Sequence, residues 1–317
     1  MESLIEKLPG VKENILLSTQ TTFKIGGPAK YFFKVKNEKD LIKAIKTARF
    51  FNLPFFLLGE GSNLLVSDNG YSGLVIKIKN QELKVKKIDI LAEAGVSLKS
   101  VINFSVKESL TGMEWAEGIP GTVGAAVYGN VGAFGSTIAG NTKAVKVLDT
   151  KNLDIKNFTV KDCHFNNKES IFKQNKNLII LSVLLKLKKG DIREIQKEVK
   201  RFSEYRKLNH PLNLPSAGCI FKNYNKKIED PKLLKKFPEL IEFNKGSRIP
   251  TSYLIDKSGL KGKIIGKVQV SEKHANFIVN LGGAESKDVI KLISIIKSKV
   301  NKKFNIKLEE EIQYLGF

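Results

Sequence analysis

Two glycine-rich stretches carry the residue types in this sequence that point to ligand binding. The short one, "GEGSN", occupies residues 59–63, and the long one, "GIPGTVGAAVYGNVGAFG", runs from Gly118 to Gly135 with six glycines, one proline and no charged residue. Glycine lets backbone N–H groups approach a ligand that a side chain would hold off. Successive N–H groups in turn conformations form a concave nest that binds anions. Both stretches are therefore candidate anion sites.

The spacing of these glycines excludes the two commonest nucleotide-binding motifs. Neither stretch leads into the Gly-Lys-Ser/Thr of a Walker loop, and neither places Gly-x-Gly-x-x-Gly at a strand-to-helix turn. Ordinary tight turns are the alternative to a ligand site. Two such stretches in one N-terminal half, with polar side chains at Ser62, Asn63, Thr122 and Asn130, favour a pyrophosphate, and a dinucleotide would supply one.

The N-terminal half shows the elements that must position these stretches. Residues 53–78, "LPFFLLGEGSNLLVSDNGYSGLVIKI", alternate apolar runs with glycine turns and predict three strands. The apolar spacing at the end of 29–50 predicts a helix with a buried stripe of Leu41, Ile42, Ala44, Ile45 and Ala48. "SLKSVINFSVKESL" predicts a second helix over 97–110, with Ser97 as its N-cap.

The remaining pattern mixes strands and helices. Residues 144–188 return to strand signals, and a long amphipathic helix begins at Asp191, with one face formed by Ile192, Ile195, Val199 and Phe202. Further on we predict a helix near 249–258, the strand "NFIVNL", a helix over 286–303 that buries Val289, Ile293, Ile296 and Val300, and a final strand, "IKLEEEIQYL". In that strand Glu309 and Glu311 would point to one face, and Glu310, on the other, fits a solvated acidic edge best. The fold class is α+β, without a repeating βαβ unit.

Length and composition predict a two-domain cytoplasmic protein. The 317 residues suit two domains, and the best boundary lies near the long helix, which gives 1–200 and 201–317. No apolar run reaches the roughly 18 residues of a membrane span, and the N-terminus lacks the apolar stretch of a signal peptide. Two cysteines, Cys163 and Cys219, suit a reducing compartment and make no disulfide framework. No metal is expected, because His164 and His210 are too isolated for a metal site and no ligand spacing appears elsewhere.

The formal charge of +22 permits two interpretations. A polyanionic partner is one: nucleic acid, a membrane surface or a phosphorylated substrate. The other is a general use of lysine, because lysines occur along the whole chain and form no long run. The second is favoured, with a phosphorylated small substrate as the next best. A basic nucleic-acid-binding protein that merely contains glycine loops stays as the non-enzyme alternative.

Six segments in order carry a resemblance to a known family: "TTFKIGGPAKYFF", "LLGEGSNLLVSDNGYSGLVI", "GMEWAEGIPGTVGAAVYGNVGAFG", "PSAGCIFKN", "GLKGKIIGKVQVSEKHANFIVN" and "LEEEIQYLG". Together they resemble the UDP-N-acetylenolpyruvoylglucosamine reductases, flavoenzymes of bacterial peptidoglycan synthesis, from about Thr21 to Gly316. The short link before "YRKLNHP" resembles the type II members, which lack an extra substrate-covering loop.

The resemblance implies a two-subdomain FAD-binding fold of the vanillyl-alcohol-oxidase type in residues 1–200 and a C-terminal α+β substrate-binding domain in 201–317. It implies FAD as cofactor and NADPH as hydride donor. FAD is expected to be noncovalent, because the glycine-rich loops contain no His or Cys. The residues that would line FAD are Gly59, Gly61, Ser62, Asn63, Gly118, Gly121, Thr122, Gly124 and Asn130.

The implied reaction reduces the enolpyruvyl ether of a UDP-sugar to a lactyl ether, which needs an acid and a donor to the substrate carboxylate. Cys219 stands where the family most often has a serine acid, and a thiol is a better proton donor than a hydroxyl. Its alternative is a small buried thiol. Glu311 matches the family's catalytic glutamate. Lys168, after Asn167, stands in place of an arginine that clamps the carboxylate; lysine keeps the charge without the bidentate fork.

Further residues match the expected contacts of the substrate. Asn223 matches a family substrate contact, while Lys222, Arg206 and Lys207 are candidates for its diphosphate. His274 is either structural or a donor in the substrate pocket. The expected partner is a UDP-sugar enolpyruvyl ether; no nucleic acid and no obligate protein partner are inferred. Asn167 and Lys168 stand where the family usually has Tyr and Arg. Because of this difference from the family, another flavin-dependent oxidoreductase on the same fold is the alternative function.

Overall fold

The computed structural model describes residues 3–246 and 248–317. The helices are α1 (Leu4–Lys7), α2 (Glu38–Phe50), α3 (Leu98–Lys107), α4 (Val123–Tyr128), α5 (Ile138–Asn141), α6 (Ile171–Gln174), α7 (Ile192–Asn209), α8 (Pro231–Lys236), α9 (Glu239–Lys245), α10 (Thr251–Lys257) and α11 (Ser286–Phe304). The strands are β1 (Lys12–Leu16), β2 (Pro28–Val35), β3 (Phe55–Leu58), β4 (Leu64–Val66), β5 (Tyr71–Ile78), β6 (Leu83–Lys86), β7 (Asp89–Glu93), β8 (Leu110–Thr111), β9 (Gly132–Ala133), β10 (Ser136–Thr137), β11 (Thr142–Asp149), β12 (Asp154–Thr159), β13 (Leu178–Leu185), β14 (Lys188–Lys189), β15 (Ser216–Cys219), β16 (Ile264–Ile265), β17 (Val268–Val270), β18 (Phe277–Asn280) and β19 (Gln313–Leu315).

The chain divides into two compact units. The first comprises the segments up to Ile15, Ala29–Glu60 and Tyr71–Arg206, and the second comprises Leu16–Pro28, Gly61–Gly70 and Lys207–Phe317. The second unit therefore consists of the C-terminal part of the chain together with two short segments from the N-terminal part. The functional division into 1–200 and 201–317 stays a prediction.

One core of the first unit lies between α2 and a four-stranded sheet of order β1-β2-β5-β3, in which β5 pairs in parallel with β2 and β3. The predicted stripe of α2 is buried at Leu41, Ala44, Ile45 and Ala48. Asn37 begins this helix by accepting a hydrogen bond from the Asp40 amide. Since β3 and β5 end at the same edge of a parallel sheet, the loop 59–63 leaves the sheet at its carboxyl edge.

The other core of the first unit lies against an antiparallel sheet of order β12-β11-β13-β7-β6. Helix α3 buries Leu98, Val101 and Ile102 there, and the predicted cap is confirmed, because Ser97 Oγ accepts the Ser100 amide at 2.9 Å. Asp191 caps α7 through the amides of Arg193 and Glu194. The predicted face of α7 is wrong at its first position, since Ile192 is 40% exposed.

The second unit packs an antiparallel sheet of order β15-β18-β17-β16 against helices α10 and α11. Helix α11 buries the four predicted residues, Val289, Ile293, Ile296 and Val300. A parallel pair, β19 with β4, joins the C-terminus of the chain to residues 64–66. This pairing ties the segment that follows "GEGSN" to the segment that follows Glu311.

The C-terminal segment corrects one prediction. Only Gln313–Leu315 forms a strand, with an isolated bridge between Phe221 and Glu310 before it. Glu310 is not the solvated acid, because its side chain is 23% exposed and binds Lys297 at 2.8 Å. The exposed acid is Glu309, at 78%. Tertiary pairing with α11, which strand alternation does not register, decides the burial of Glu310.

The α+β class predicted from the sequence is confirmed. In the described part of the chain, parallel pairing is restricted to short sheets and no βαβ unit repeats. Among residues 3–246 and 248–317, none of the helices combines the length and apolar character that crossing a membrane requires.

Candidate active site

The two glycine-rich stretches meet within the first unit. Glu60 Oε2 accepts a hydrogen bond from the Gly121 amide at 2.7 Å. A Cβ on Gly59 would lie 2.9 Å from Thr122 Oγ1, so glycine is what lets the two stretches approach so closely. Residues predicted from separate motifs are thus brought together at the carboxyl edge of the sheet.

The second half of the short stretch belongs to the second unit. Gly61 has a φ of +67°, and a Cβ there would lie 2.8 Å from the Gln20 carbonyl oxygen, so both conformation and space require glycine. The side-chain amide of Asn63 donates to the Glu311 carbonyl oxygen at 3.1 Å, and the Gln313 amide donates to the Asn63 carbonyl oxygen. Asn63, a predicted cofactor residue, therefore holds the backbone of Glu311, a predicted catalytic residue.

The short stretch fits a diphosphate. The successive amides of Glu60 and Gly61 donate to no acceptor in the part of the chain that the structure describes. Open N–H groups on a turn with positive φ form the nest that binds phosphate oxygens. Two backbone donors are thus open to a diphosphate, and Gly59 and Gly61 carry no side chain that would exclude it.

Arg206 anchors the start of the long stretch. Its Nε donates to the Glu117 carbonyl oxygen at 2.5 Å, and its guanidinium lies over the Phe134 ring, 5.3 Å from the centroid. Gly118 has a φ of +72°, and a Cβ there would lie 2.6 Å from Arg206 Cδ. Arg206, predicted as a diphosphate ligand, thus braces both ends of the loop, at Glu117 and at Phe134.

The middle of the long stretch is shaped by packing and capping. Gly121 has a φ of +134°, and Thr122 Oγ1 caps α4 by accepting the Ala125 amide at 3.3 Å. A Cβ on Gly124 would lie 2.8 Å from the Ala94 Cβ. Residue 124 must therefore be a glycine because α4 packs closely against Ala94.

Asn130 joins the long stretch to the segment that carries Lys168. It is 7% exposed; its Nδ2 donates to the Asn166 carbonyl oxygen at 2.8 Å, and its Oδ1 accepts the Ala139 amide. Lys168 is half-buried, with a φ of +56° in the turn bridged by Asn166 and Glu169. The Lys168 carbonyl oxygen accepts a hydrogen bond from Lys173 Nζ at 2.7 Å. This network fixes the turn on which the predicted carboxylate clamp stands.

Cys219 ends β15 next to a bulge. Strand β15 pairs with β18 through Ser216 and Cys219, and the register shifts between them. Gly218, inside the bulge, has a φ of +74°, a conformation that glycine adopts without strain. Bulges re-aim the neighbouring side chain, so the motif "SAGC" sets the direction of the half-buried Cys219.

The other cysteine has a different environment. Cys163 is fully buried in the second core of the first unit. Burial, with a smaller contribution from the Asp162 charge, raises the pKa of the Cys163 thiol to about 12. It is therefore an inert packing residue, whereas Cys219 is only half-buried.

Glu311 lies beside Cys219 through the backbone. The Glu311 amide donates to the carbonyl oxygen of Ile220, the residue after Cys219, at 2.8 Å. The Glu311 side chain is half-buried. The structure thus brings together the two predicted residues of the proton step, from motifs that are far apart in sequence.

The predicted substrate contacts share the same unit, apart from Arg206. Asn223 Oδ1 accepts the Thr251 amide at 3.1 Å, and Thr251 Oγ1 donates to the Lys222 carbonyl oxygen. Lys222 Nζ lies 3.6 Å from Glu309 Oε2. Lys207 is exposed, and its carbonyl oxygen accepts Lys273 Nζ at 3.3 Å. Thr251 was not predicted from the sequence; no motif marks a threonine at a helix start as a brace.

His274 packs into an aromatic cluster with His210 and Phe277, whose ring centroids lie 5.2 Å and 4.9 Å away. Burial lowers the pKa of His274 to about 4, so its ring is neutral at physiological pH. Its buried Nδ1 lacks a hydrogen-bond partner among the described residues. Within the same ranges no group of three or more His, Cys, Asp or Glu side chains could hold a metal ion.

Glu60 is a residue of the candidate site that sequence reasoning missed. It is the one charged residue of "GEGSN", and a charge inside a glycine-rich anion nest was the available signal. Its partner Gly121 is 61 residues away, so only the fold reveals what it binds.

Comparison with known proteins identifies the family. A family model described as "UDP-N-acetylenolpyruvoylglucosamine reductase, C-terminal domain" matches residues 210–315, and one described as "FAD binding domain" matches 29–151. A UDP-N-acetylenolpyruvoylglucosamine reductase of Clostridium tetani is 35% identical over 100% of this chain and 96% of its own length. One of Caldanaerobacter subterraneus is 37% identical over 99% of both chains.

A solved structure agrees with these matches. The crystal structure of UDP-N-acetylenolpyruvylglucosamine reductase from Thermus caldophilus superposes with a TM-score of 0.76 at 30% identity, and covers 96% of this chain and 98% of its own. The resemblance and the FAD-binding fold of the vanillyl-alcohol-oxidase type are thereby confirmed. This chain belongs to the UDP-N-acetylenolpyruvoylglucosamine reductase family.

Proposed function

We propose that this protein is an FAD-dependent NADPH oxidoreductase that reduces UDP-N-acetylglucosamine enolpyruvate to UDP-N-acetylmuramate, for peptidoglycan precursor synthesis. Its full-length likeness to reductases of that name supports the proposal. The single observation in the molecule that carries it is the hydrogen bond from the Glu311 amide to the Ile220 carbonyl oxygen, which sets Glu311 beside Cys219.

The cofactor site uses the glycine-rich stretches. FAD, when bound, supplies the hydride that it has taken from NADPH. The open amides of Glu60 and Gly61 would hold its diphosphate, while Asn63 and Asn130 keep the surrounding backbone in place. In functional terms we assign residues 1–200 to FAD and residues 201–317 to the substrate.

The proton step belongs to Cys219 and Glu311. Hydride addition at the terminal alkene carbon builds negative charge on the adjacent carbon and into the carboxylate. Cys219 donates its Sγ proton to that adjacent carbon, which completes the lactyl ether. Glu311 orients the reacting end of the substrate, and Lys168 holds the carboxylate by charge.

The diphosphate of the substrate is assigned to basic residues near these groups. Lys222 and Asn223 follow Cys219 on the same segment and are braced by Thr251. Lys207 is exposed and adds charge. Arg206 is also assigned to the substrate diphosphate, because its guanidinium carries a positive charge, although its Nε donates to the Glu117 carbonyl oxygen. The protein would act in the cytoplasm, with no nucleic acid and no obligate protein partner.

Anaerobic spectroscopy tests the proposal. The purified protein should be yellow, release FAD on heating, lose flavin absorbance when NADPH is added, and recover it when UDP-N-acetylglucosamine enolpyruvate follows. A protein that takes up no FAD would refute the whole proposal. A flavin that NADPH reduces but this substrate does not reoxidise would support the second candidate, another flavin-dependent oxidoreductase, which the Asn167–Lys168 departure motivates.

A further inference from the structure

Lys77 is a buried cation that the reaction described above does not use. It is 6% exposed, near the end of β5. In the sheet it stands in register with Leu58, the residue before Gly59, and with Lys34 on the other side. Lysine is almost never buried this deeply without a charged partner. Its position beside the start of "GEGSN" needs an explanation.

The face of the sheet that carries Lys77 is the one away from α2. Its neighbours Leu74 and Ile76 belong to the core beneath α2, and alternation along a strand places Lys77 on the opposite face. Lys77 is also the next-to-last residue of β5, and open α/β sheets bind ligands outside the carboxyl ends of their strands. Lys77 is therefore positioned toward the ligand side of the first unit.

The charges around Lys77 single out Glu60. Burial, with smaller contributions from the like charges of Lys79 and Lys34, lowers the pKa of Lys77 to about 8. Glu60 is the one group that acts in the opposite direction. The same Glu60 carboxylate accepts the Gly121 amide and so joins the two glycine-rich stretches.

The Glu60 carboxylate creates an electrostatic conflict at the proposed cofactor site. Glu60 places a negative charge within the nest whose open amides would receive a diphosphate. Two anions in a partly buried site repel each other unless a cation offsets one of them. Lys77 is a buried cation whose charge interacts with that of Glu60, so it can offset the carboxylate.

We propose that Glu60 and Lys77 act together as positioning residues for FAD: Glu60 clasps the two glycine-rich stretches in the arrangement that receives the diphosphate, and Lys77 neutralises the clasp. This inference rests on the proposed FAD site and adds two residues to it. Neither residue touches the reacting atoms. Their effect is on the affinity for FAD.

Binding of FAD to flavin-stripped protein, followed by flavin fluorescence, tests the inference. Glu60→Ala and Lys77→Met should each raise the FAD Kd by about 10- to 100-fold, the range for losing one charge-assisted contact. Glu60→Gln should stay within about fivefold of wild type, since its amide oxygen still accepts the Gly121 N–H. Lys79→Met, an exposed lysine two residues further on, is the matched control and should change the Kd less than twofold.

The double variant gives the decisive result. If Lys77 acts by neutralising Glu60, then Lys77→Met should cost less than about threefold in the Glu60→Gln background. An undiminished cost there would show that Lys77 binds the diphosphate directly, and the clasp model would be overturned. A Glu60→Ala protein that binds FAD as tightly as wild type would overturn it as well.

A pH titration of the wild-type protein keeps the test independent of variant folding. The charged form of Lys77 dominates below about pH 8 and is lost above it, so FAD affinity should fall at least tenfold from pH 7 to 9.5. A flat profile would contradict the proposal. Because FAD binding is measured apart from turnover, a protein that binds FAD but reduces no substrate would refute the proposed function and leave this inference standing.

Discussion

The side chain of Asn63 donates a hydrogen bond to the backbone carbonyl of Glu311 across 248 residues of sequence. One residue comes from the glycine-rich stretch assigned to FAD, and the other is the glutamate assigned to the reaction. The Gln313 amide returns a bond to the Asn63 carbonyl, so the link is reciprocal. A change in the proposed cofactor loop should therefore affect the position of Glu311, the proposed catalytic glutamate.

Asn63→Asp should be more damaging than Asn63→Ala. Alanine loses one partly buried hydrogen bond, whereas aspartate sets a carboxylate against the Glu311 carbonyl oxygen and leaves both acceptors without a donor. We expect a kcat about 10-fold lower for alanine and about 100-fold lower for aspartate, following about 1–3 kcal/mol per unsatisfied group. Steady-state kinetics at saturating FAD measure this. Equal effects of the two variants would show that the bond has no bearing on Glu311.

Cys219 should be required for protonation but not for reduction of the flavin. Cys219→Ala removes the proton donor, so turnover should fall by about 10²–10⁴, the usual contribution of general acid catalysis. NADPH should still bleach the flavin in a single anaerobic addition. Cys219→Ser should keep substantial activity, since serine is the residue expected at this position from the family. If Cys219→Ala turns over at the wild-type rate, another group donates the proton.

The alkaline limb of the pH profile gives a separate test of Cys219. A thiolate has no proton to donate, so turnover should decline at alkaline pH as the thiol ionises. The decline should disappear in Cys219→Ser, whose hydroxyl does not ionise in that range. The FAD occupancy must be held constant across the profile, because Lys77 also loses its charge above about pH 8. An identical alkaline limb in both proteins would assign it to another group.

The sequence predicted those features of the site that depend on residues close together in the chain, and it missed those that depend on residues far apart in the chain. Periodicity and capping found α2, α3 and α11, because each buries a regular stripe or uses a local cap such as Ser97. Motif resemblance predicted catalytic roles for Cys219 and Glu311, and the structure places their backbones side by side. The Glu60–Gly121 bond joins residues whose separation no local pattern encodes. Glu310 was misjudged for the same reason, since its partner Lys297 lies on another element.

Thiol alkylation should inactivate the enzyme through Cys219 alone. Cys163 is fully buried and its raised pKa, about 12, keeps it in the unreactive thiol form. One equivalent of a maleimide should therefore abolish turnover, and peptide mass spectrometry should place the label on Cys219. Cys163→Ala is the matched control and should be inactivated at the same rate. Bound substrate should slow the reaction. Labelling of Cys163 in the native protein would contradict the burial described here.

Lys168 should matter for the substrate and not for the flavin. Its turn is held by Asn130, Asn166 and Lys173, so the side chain can be changed while the backbone stays in place. Lys168→Ala removes a charged donor at the position where charge develops, which costs about 2–4 kcal/mol, or about 10²–10³ in substrate reduction. Flavin reduction by NADPH should change less than about threefold. Rapid-mixing measurements of the two half-reactions separate these effects.

Two further variants of this segment test whether Lys168 acts on the substrate carboxylate through its positive charge or through the shape of its ammonium group. Lys168→Arg keeps the positive charge and adds the bidentate fork that suits a carboxylate, so substrate reduction should equal or exceed wild type. Lys161→Ala removes an exposed lysine from the same segment and should leave both half-reactions unchanged, which controls for general charge. If Lys168→Ala reduces substrate at the wild-type rate, the carboxylate is held by another residue. If Lys168→Arg is as slow as Lys168→Ala, the ammonium has a role that a guanidinium cannot fill, and the clamp assignment fails.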